Sequence, residues 1–587
     1  MSKKVTGKAF DSKIFKRLMQ FAKAYRKQFI IGTLSAILLS LVAVVKPVLL
    51  QETVNVYYTN KDKQGLLYFS LLMMLFLLLE VFLQFIFIYK VNWLGQHIIK
   101  DIRVKLQKHM LQFKMAYFDK SSVGKLVTRL VSDTETIADF FGQGLFMIIS
   151  DLLKMLVVSV VMLWMNWKLA LIAFVVLPIL IYATKLFQIA IKSTFQEVRI
   201  QVANLNGFVQ ERVTGMKIVQ LFNREKIEYN NFVQINEKHK KAHVKTVWYY
   251  SIFFPIAEIL SSIAIGLIVW FGGLDIVNTG ITNAGEIIAF IMMSQMLFRP
   301  LRQIADKFNT LQMGMVAGDR IFEILDTDSQ ITRNGNMKAE HFKGNISFKN
   351  VHFSYVKGEE VLKGVSFDVK AGETVAIVGA TGAGKSTIIN LVNRFYEIDN
   401  GEICMDGHNI EQYTLPSLRS QIAVVLQDVF LFSDSIFNNI VLSNKNITLE
   451  EVQAAAKEIG IHDFIMSLPN NYFYNVKERG VMLSAGQRQL IAFLRAYVTN
   501  PSVLILDEAT SSIDSYSEKL IQDATDKITK HQTSIIIAHR LTTVKKADKI
   551  IVMDKGNIVE QGTHLELLNK DGYYKNLYDI QFAGEVA

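Results

Sequence analysis

Gly379-Ala380-Thr381-Gly382-Ala383-Gly384-Lys385-Ser386-Thr387 follows the apolar run Thr374 to Val378 and precedes a helix-like run, Ile388 to Phe395. A strand, a glycine-rich turn and a helix in that order make a phosphate-binding loop. Gly379, Gly382 and Gly384 let backbone N–H groups approach phosphate oxygens at a helix N-terminus, where the helix dipole favours anions. Lys385 supplies a point charge to the terminal phosphates, and the Ser386 hydroxyl is a ligand for Mg²⁺. The run through Thr381 and Thr387 is therefore expected to hold a nucleotide.

A second apolar strand, Val503 to Leu506, ends in Asp507-Glu508. Two carboxylates then sit at the C-terminal edge of a parallel sheet, where ligands of such sheets bind. Asp507 is expected to hold Mg²⁺, and Glu508 to act as the general base toward an attacking water. An acidic pair after a strand means little alone. Beside a phosphate loop it predicts nucleotide hydrolysis and an α/β P-loop NTPase fold.

That fold needs only part of a 587-residue chain. Half of the residues are hydrophobic and the mean hydropathy is +0.24, high for a soluble chain with 20% charge. The apolar excess lies in the first 300 or so positions, where six stretches are each long enough to cross a hydrocarbon core of about 30 Å. They are roughly 29 to 50, 66 to 90, 145 to 165, 169 to 190, 248 to 272 and 284 to 305. The expected organisation is an N-terminal amphipathic segment 1–28, an α-helical six-span transmembrane domain 29–315, a linker 316–344 and a nucleotide-binding domain 345–587.

The net charge of +11 and pI near 9.2 do not point to nucleic acid, because Lys and Arg crowd the segments that flank apolar spans. Lys100, Arg103, Lys105, Lys108, Lys114, Lys120, Lys125 and Arg129 lie between the second and third spans, and another long polar stretch joins the fourth and fifth. Both are placed in the cytoplasm by the positive-inside rule. The short connections, including Asn166-Trp167 and Gly273 to Asn283, then lie outside. The basic N-terminus, with Lys13, Lys16 and Arg17 among its cations, stays in the cytoplasm with the ATPase half, and no cleavable signal peptide is expected. Cys404 is the only cysteine, so no intrachain disulfide can form.

Glu80, Asp151, Lys154, Lys185 and Glu258 fall inside the spans, where each must pair, face a cavity or sit near an interface. Asp151 and Lys154, three apart on one helix, are expected to pair with each other. Glu80 and Glu258 are candidate cargo contacts. Pro178, Pro255 and Pro300 are expected to kink their helices.

Leu483-Ser484-Ala485-Gly486-Gln487, between the phosphate loop and Asp507, identifies a family: the chain resembles an ABC exporter half-transporter from about residue 20 to about 580. Tyr355 in Phe353-Ser354-Tyr355 matches the aromatic that stacks on adenine. Gln427 matches the glutamine linking Mg²⁺ and attacking water to the membrane domain. Glu478-Arg479-Gly480 matches the segment that marks exporters, Ser511-Ser512-Ile513-Asp514 the dimer-interface loop, and His539 the histidine at the γ phosphate. Tyr117-Phe118-Asp119 through Gly124, and Asn206-Gly207 through Phe222, resemble intracellular loops whose coupling helices dock on the ATPase domains. Taken singly, each of these residues has an ordinary structural reading; their order carries the match.

The resemblance implies ATP and Mg²⁺ as cofactors and two cassettes paired head to tail. ATP on one chain's phosphate loop is then closed by Ser484, Gly486 and Gln487 of the other. Ala485 departs from the family's usual Gly. With the catalytic set intact, a homodimer is the first expectation and the intact member of a heterodimer the alternative. The expected cargo is a hydrophobic small molecule or a lipid, moved across a bacterial inner or plasma membrane. An ATP-gated channel on the same scaffold is disfavoured by the intact Glu508 and His539.

Overall fold

The computed structural model describes residues 11–278, 280, 282–331, 335–338, 341–507, 515–530, 532–538 and 541–581. The chain divides into two compact units, residues 1–111 with 123–327, and residues 112–122 with 328–587.

Among the described residues, the first unit holds six long helical segments, Ser12–Tyr58, Lys63–Met110, Val123–Met165, Trp167–Thr214, Glu225–Asn278 and Ala284–Leu325, each with an apolar window fit to cross a membrane. At 1.5 Å per residue, the 48 residues of Lys63–Met110 extend about 72 Å, more than twice the hydrocarbon thickness. Long polar-flanked extensions therefore continue from the apolar spans as helix rather than as loop. Leu67, Leu71, Met74, Leu75, Leu78, Phe82 and Phe85 of that second segment are exposed, the pattern of a helix apolar all round that faces lipid.

Inside the bundle, small residues set the spacing. The buried stripe of Glu225–Asn278 runs Ala242, Thr246, Phe253, Ala257, Ser261, Ala264, Ile268 and Gly272. Without a hydrophobic drive in lipid, close approach through Ala, Ser and Gly holds such helices together. At Gly272 an added Cβ would lie 3.0 Å from Ile287 Cγ1. Pro178, Pro255 and Pro300 lie inside continuous helices.

Two expectations are corrected here. The last helix runs to Leu325, into the stretch expected as linker, because Ala317, Ile321, Phe322 and Ile324 keep its apolar face buried. The N-terminal helix Ser12–Ala22 packs there, and Gly318 leaves room for Ile14 and Leu18. Arg17 holds Asp326 through two bonds of 2.6 and 2.7 Å and lies 4.0 Å over the Phe322 ring. Second, Asp151 pairs with Lys307 of the last helix and not with Lys154. Lys307 reaches the carboxylate from across the helix interface, while Lys154 of its own helix makes no ion pair with it. Glu258 likewise finds Arg302.

The second unit is an α/β domain with two sheets. Strands β1 (Ile346–Val356), β2 (Glu359–Val369), β4 (Asn400–Met405) and β5 (His408–Asn409) form an antiparallel sheet in the order β2-β1-β4-β5. The six-stranded sheet has the order β10-β9-β3-β8-β7-β6, from β3 (Thr374–Gly379), β6 (Ile422–Val425), β7 (Val503–Asp507), β8 (Thr533–Ile537), β9 (Lys549–Asp554) and β10 (Asn557–Gly562). Pairings from β6 through β9 are parallel, and only β10 runs antiparallel. Parallel strands are covered on both faces, which is why Val375–Val378 and Val503–Leu506 are unbroken apolar runs, all buried. Two clusters pack the faces, one around Phe493, Ile491 and Tyr472, the other around Val375, Ile377 and Phe348. Cys404 is a buried residue of β4.

Candidate functional site

The 379–387 loop leaves the end of β3 and enters the helix Lys385–Val392. Gly379, Gly382 and Gly384 have φ of 150°, 83° and 103°, which an L side chain rarely adopts. At Gly379 an added Cβ would also lie 2.1 Å from the Met553 carbonyl oxygen of neighbouring β9. Sequence and geometry agree on why glycine stands there. Lys385 is buried, and its ammonium donates to the carbonyls of Gly379 at 2.7 Å and Ala380 at 3.0 Å. The cation is thus folded over the loop it serves. Thr381, Gly382 and Ser386 are exposed and Thr387 is buried.

Asp507 ends β7, and in the parallel register it lies opposite Ile537 of β8. Burial lowers the pKa of Lys385, and the charge of Asp507 partly restores it. Burial raises that of Asp507, Lys385 lowers it, and Asp428 raises it further. The sheet has therefore gathered one cation and one carboxylate at the C-terminal ends of β3 and β7, with β8 between them, in a partly desolvated place. Gln427 is exposed, two residues beyond β6. Glu508, Ser511 to Asp514 and His539 lie outside the described residues.

Tyr355, on β1, is partly exposed, and its hydroxyl donates to Thr387 Oγ1 at 3.3 Å and accepts from Asn390 Nδ2 at 3.0 Å. The ring meets Phe353 and Tyr396 edge to face, with centroids 4.8 and 5.0 Å apart. The aromatic is thereby fixed to the helix that follows the phosphate loop.

Ser484 is the N-cap of the helix Ala485–Val498, where its Oγ accepts from the Gln487 N–H at 3.2 Å. Gln487 Oε1 accepts in turn from the Ser484 N–H at 2.9 Å, closing a capping box. Ser484 and Ala485 are exposed and Gly486 is buried. Just upstream, Arg479 and Gly480 both have positive φ, 53° and 68°, and Arg488 donates to the Leu483 carbonyl at 2.7 Å. Among the described residues, Ser484, Gly486 and Gln487 make no hydrogen bond to the 379–387 loop. The structure brings together Tyr355, Lys385, Thr387 and Asp507, and leaves the exposed Ser484 cap apart from them.

One contact escaped sequence reading. Tyr396 donates to the Asp119 carboxylate, and Lys114 pairs with Glu397 at 3.3 Å, so the short helix Met115–Asp119 is held against the α/β domain. Phe395-Tyr396-Glu397 after the phosphate-loop helix carries no local signal of such a partner.

Two family models match the chain: "ABC transporter transmembrane region" over residues 29–301 and "ABC transporter" over residues 362–511. Among curated relatives, YgaD of Bacillus subtilis (strain 168), named as a candidate multidrug export ATP-binding/permease protein, is 36% identical over 580 residues. That alignment covers 97% of this chain and 99% of the relative. The ATP-dependent lipid A-core flippase of Syntrophus aciditrophicus (strain SB) is 32% identical, covering 97% and 94%. The solved structure of a bacterial Atm1-family ABC exporter with ATP bound superposes with a TM-score of 0.77 at 26% identity, over 95% of this chain and 98% of that one. Six helices of membrane-crossing length, joined to the matched transmembrane region, make this a multi-pass membrane protein. The chain belongs to the ABC transporter family, with transmembrane region and ATPase fused in one polypeptide and ATP hydrolysis coupled to transport.

Proposed function

We propose that two such chains form one exporter, which moves hydrophobic or amphipathic molecules out of the cytoplasm across a bacterial plasma membrane by alternating access. The names of the relatives, multidrug export and lipid A-core flipping, support a drug-like or lipid cargo. The observation that carries the dimer is the separation of Ser484 from the phosphate loop within one chain. A capped helix N-terminus with exposed Ser484 is suited to a phosphate, and here it has none of its own chain's loop to close on. A second chain supplies that loop, and a homodimer needs no further component. Exposed Met216, Ile218, Leu221 and Phe222 in one cytoplasmic turn, and Phe430, Phe432, Val481 and Met482 on the ATPase, are apolar surfaces that such a partner would cover.

In this reading Tyr355 stacks on adenine, and the backbone from Gly379 to Thr387, with Thr381, Gly382 and Gly384, wraps the phosphates. Lys385 turns from its two carbonyls to the β and γ phosphates. Ser386, Asp507 and Gln427 offer a hydroxyl, a carboxylate and an amide, hard oxygen donors that fit Mg²⁺ with phosphate and water completing its shell. Bound there, Mg²⁺ would neutralise charge developing on the transferred phosphoryl group. Glu508 polarises the attacking water, Gln427 reports its presence toward the membrane region, and His539 contacts the γ phosphate. The partner's Ser484, Gly486 and Gln487 complete the site. ATP favours the closed, outward-facing pair and cargo the inward-facing one, so each shifts the equilibrium the other needs.

The test is reconstitution of this chain alone in liposomes, with ATPase activity and uptake measured for a cargo panel. Activity of the single gene product supports the homodimer; activity only after a second chain is added makes this protein the intact member of a heterodimer. Glu508→Gln should lose two or more orders of magnitude in turnover, the reach of general-base catalysis. Unchanged turnover would remove Glu508 from its role.

A further inference from the structure

The membrane unit has a half-open cavity of about 490 Å³ between its first, second, third and last long helices, within the size range of small-molecule sites. Its apolar side includes Phe87 and Met296, and Gln84, Gln295 and Gln303 add polar groups. Its charges are Lys46, Lys154, Arg299, Glu80 and Asp151. Asp151 is neutralised by Lys307, which stands outside the lining. Among the described residues, Lys46, Lys154, Arg299 and Glu80 form no ion pair, which leaves three cations against one carboxylate.

All four belong to apolar stretches where an unpaired charge is costly, so an excess of uncompensated cations calls for a counter-anion. Elsewhere in the same unit the sequence meets this demand internally, at Asp151–Lys307 and Glu258–Arg302. At the cavity it does not. The geometry points to a site for the anionic head group of an amphipath, a phosphate or carboxylate held by Lys46, Lys154 and Arg299, with its apolar part against Phe87 and Met296. The assignment rests on the export reading for its role as a cargo site, but the site itself is a binding property that is tested without turnover. A cationic amphipath, by contrast, meets only Glu80.

The experiment measures binding of tritiated short-chain phosphatidylglycerol to the full-length protein in phosphatidylcholine nanodiscs. Competitors are tail-matched phosphatidylcholine, tail-matched cationic ethyl-phosphatidylcholine and free glycerol phosphate. The expected result is at least about a tenfold preference for the anionic lipid over both lipid competitors. In Lys154→Gln/Arg299→Gln the preference falls to about twofold or less, and in Lys154→Arg/Arg299→Lys it is retained. Competition by free glycerol phosphate as strong as that of the lipid supports the anion site and assigns it a soluble ligand. Equal binding of the three lipids, or a preference that survives the Gln pair, overturns the site. So does a Gln pair that loosens the dimer with selectivity unchanged, since the cations would then serve the second chain's carboxylates. Anion-selective binding without ATP-dependent transfer in proteoliposomes leaves the site standing and defeats the export reading.

Discussion

The Tyr396 hydroxyl donates to the carboxylate of Asp119, residues 277 positions apart. Burial, helped by that bond, holds the Tyr396 pKa well above the ordinary phenol value, so the group is a donor at every working pH. The same ring stands 5.0 Å from Tyr355, which is itself tied to Thr387 of the phosphate-loop helix. One side chain therefore touches both the proposed adenine platform and the short helix Met115–Asp119. Tyr396→Phe keeps the ring packing and removes one hydrogen bond, about 1 kcal/mol. Half-saturating ATP is expected to change by less than about twofold, while cargo moved per ATP falls by several-fold, about what 1 kcal/mol of lost coupling allows. A parallel measurement of ATPase rate and transport in proteoliposomes checks this. Equal losses in both would make Tyr396 a nucleotide-site residue instead.

Ser484 separates capping from phosphate contact. Asp caps a helix about as well as Ser, so Ser484→Asp should melt within about 0.5 kcal/mol of the parent, whereas Ser484→Ala should lose about 1 kcal/mol. Function should follow the opposite order. In the proposed dimer a carboxylate at this exposed cap would repel the second chain's γ phosphate, and ATPase activity of Ser484→Asp is expected to fall by more than about tenfold, below that of Ser484→Ala. Thermal melting and turnover on the same preparations settle the two scales.

The contrast between Lys385 and Asp151 explains how far the sequence could be read. The phosphate loop was legible because every requirement is local: glycines at positive φ, a strand before, a helix after. The strands β3 and β7 were legible because double-sided burial leaves unbroken apolar runs. Periodicity sees only one helix and so offers Lys154 to Asp151, whereas the partner, Lys307, is 156 residues away. The same limit hid Tyr396 and Asp119. It also hid the meeting of Lys46, Lys154 and Arg299, since helix order around a bundle is not written in hydropathy. The stretch from 316 reads as linker because of its polar residues, although Ile321 and Phe322 continue the buried face of the last helix.

His564 gives the ATPase domain an acid-sensitive joint. Its Nδ1 lies 2.7 Å from the Tyr574 hydroxyl, and burial, with Lys545 nearby, lowers its pKa below the ordinary 6.5. The folded state then binds the proton less readily than the unfolded chain. The contribution is complete above pH 6.5 and is lost as pH falls from there through the lowered folded value. Melting temperature followed from pH 7.5 to 5 should therefore decline more steeply in the parent than in His564→Gln, which keeps a polar side chain and cannot titrate. Parallel curves would assign the acid loss elsewhere.

Asp151 and Lys307 offer a cycle in which the double variant should outlast either single one. Both are largely withdrawn from solvent, with 25% and 20% of their side-chain surface exposed, and both lie on membrane helices. Asp151→Asn leaves the ammonium without its counter-charge at a depth where a lone charge is costly, and Lys307→Gln does the same to the carboxylate. Each single variant should be destabilised by about 2 to 4 kcal/mol. In Asp151→Asn/Lys307→Gln neither charge remains, and an amide pair can still hydrogen-bond across the interface. Most of the loss should return, giving a coupling well beyond the 0.5 kcal/mol or so of independent sites. Because Asp151 also lines the cavity, the single variant has a second signature. Freeing Lys307 adds one more uncompensated cation next to Asp151 at the cavity's edge, so Asp151→Asn should strengthen binding of the anionic lipid even as it lowers the melting temperature. Stability and binding moving together in the same direction would show that the pair serves the fold alone.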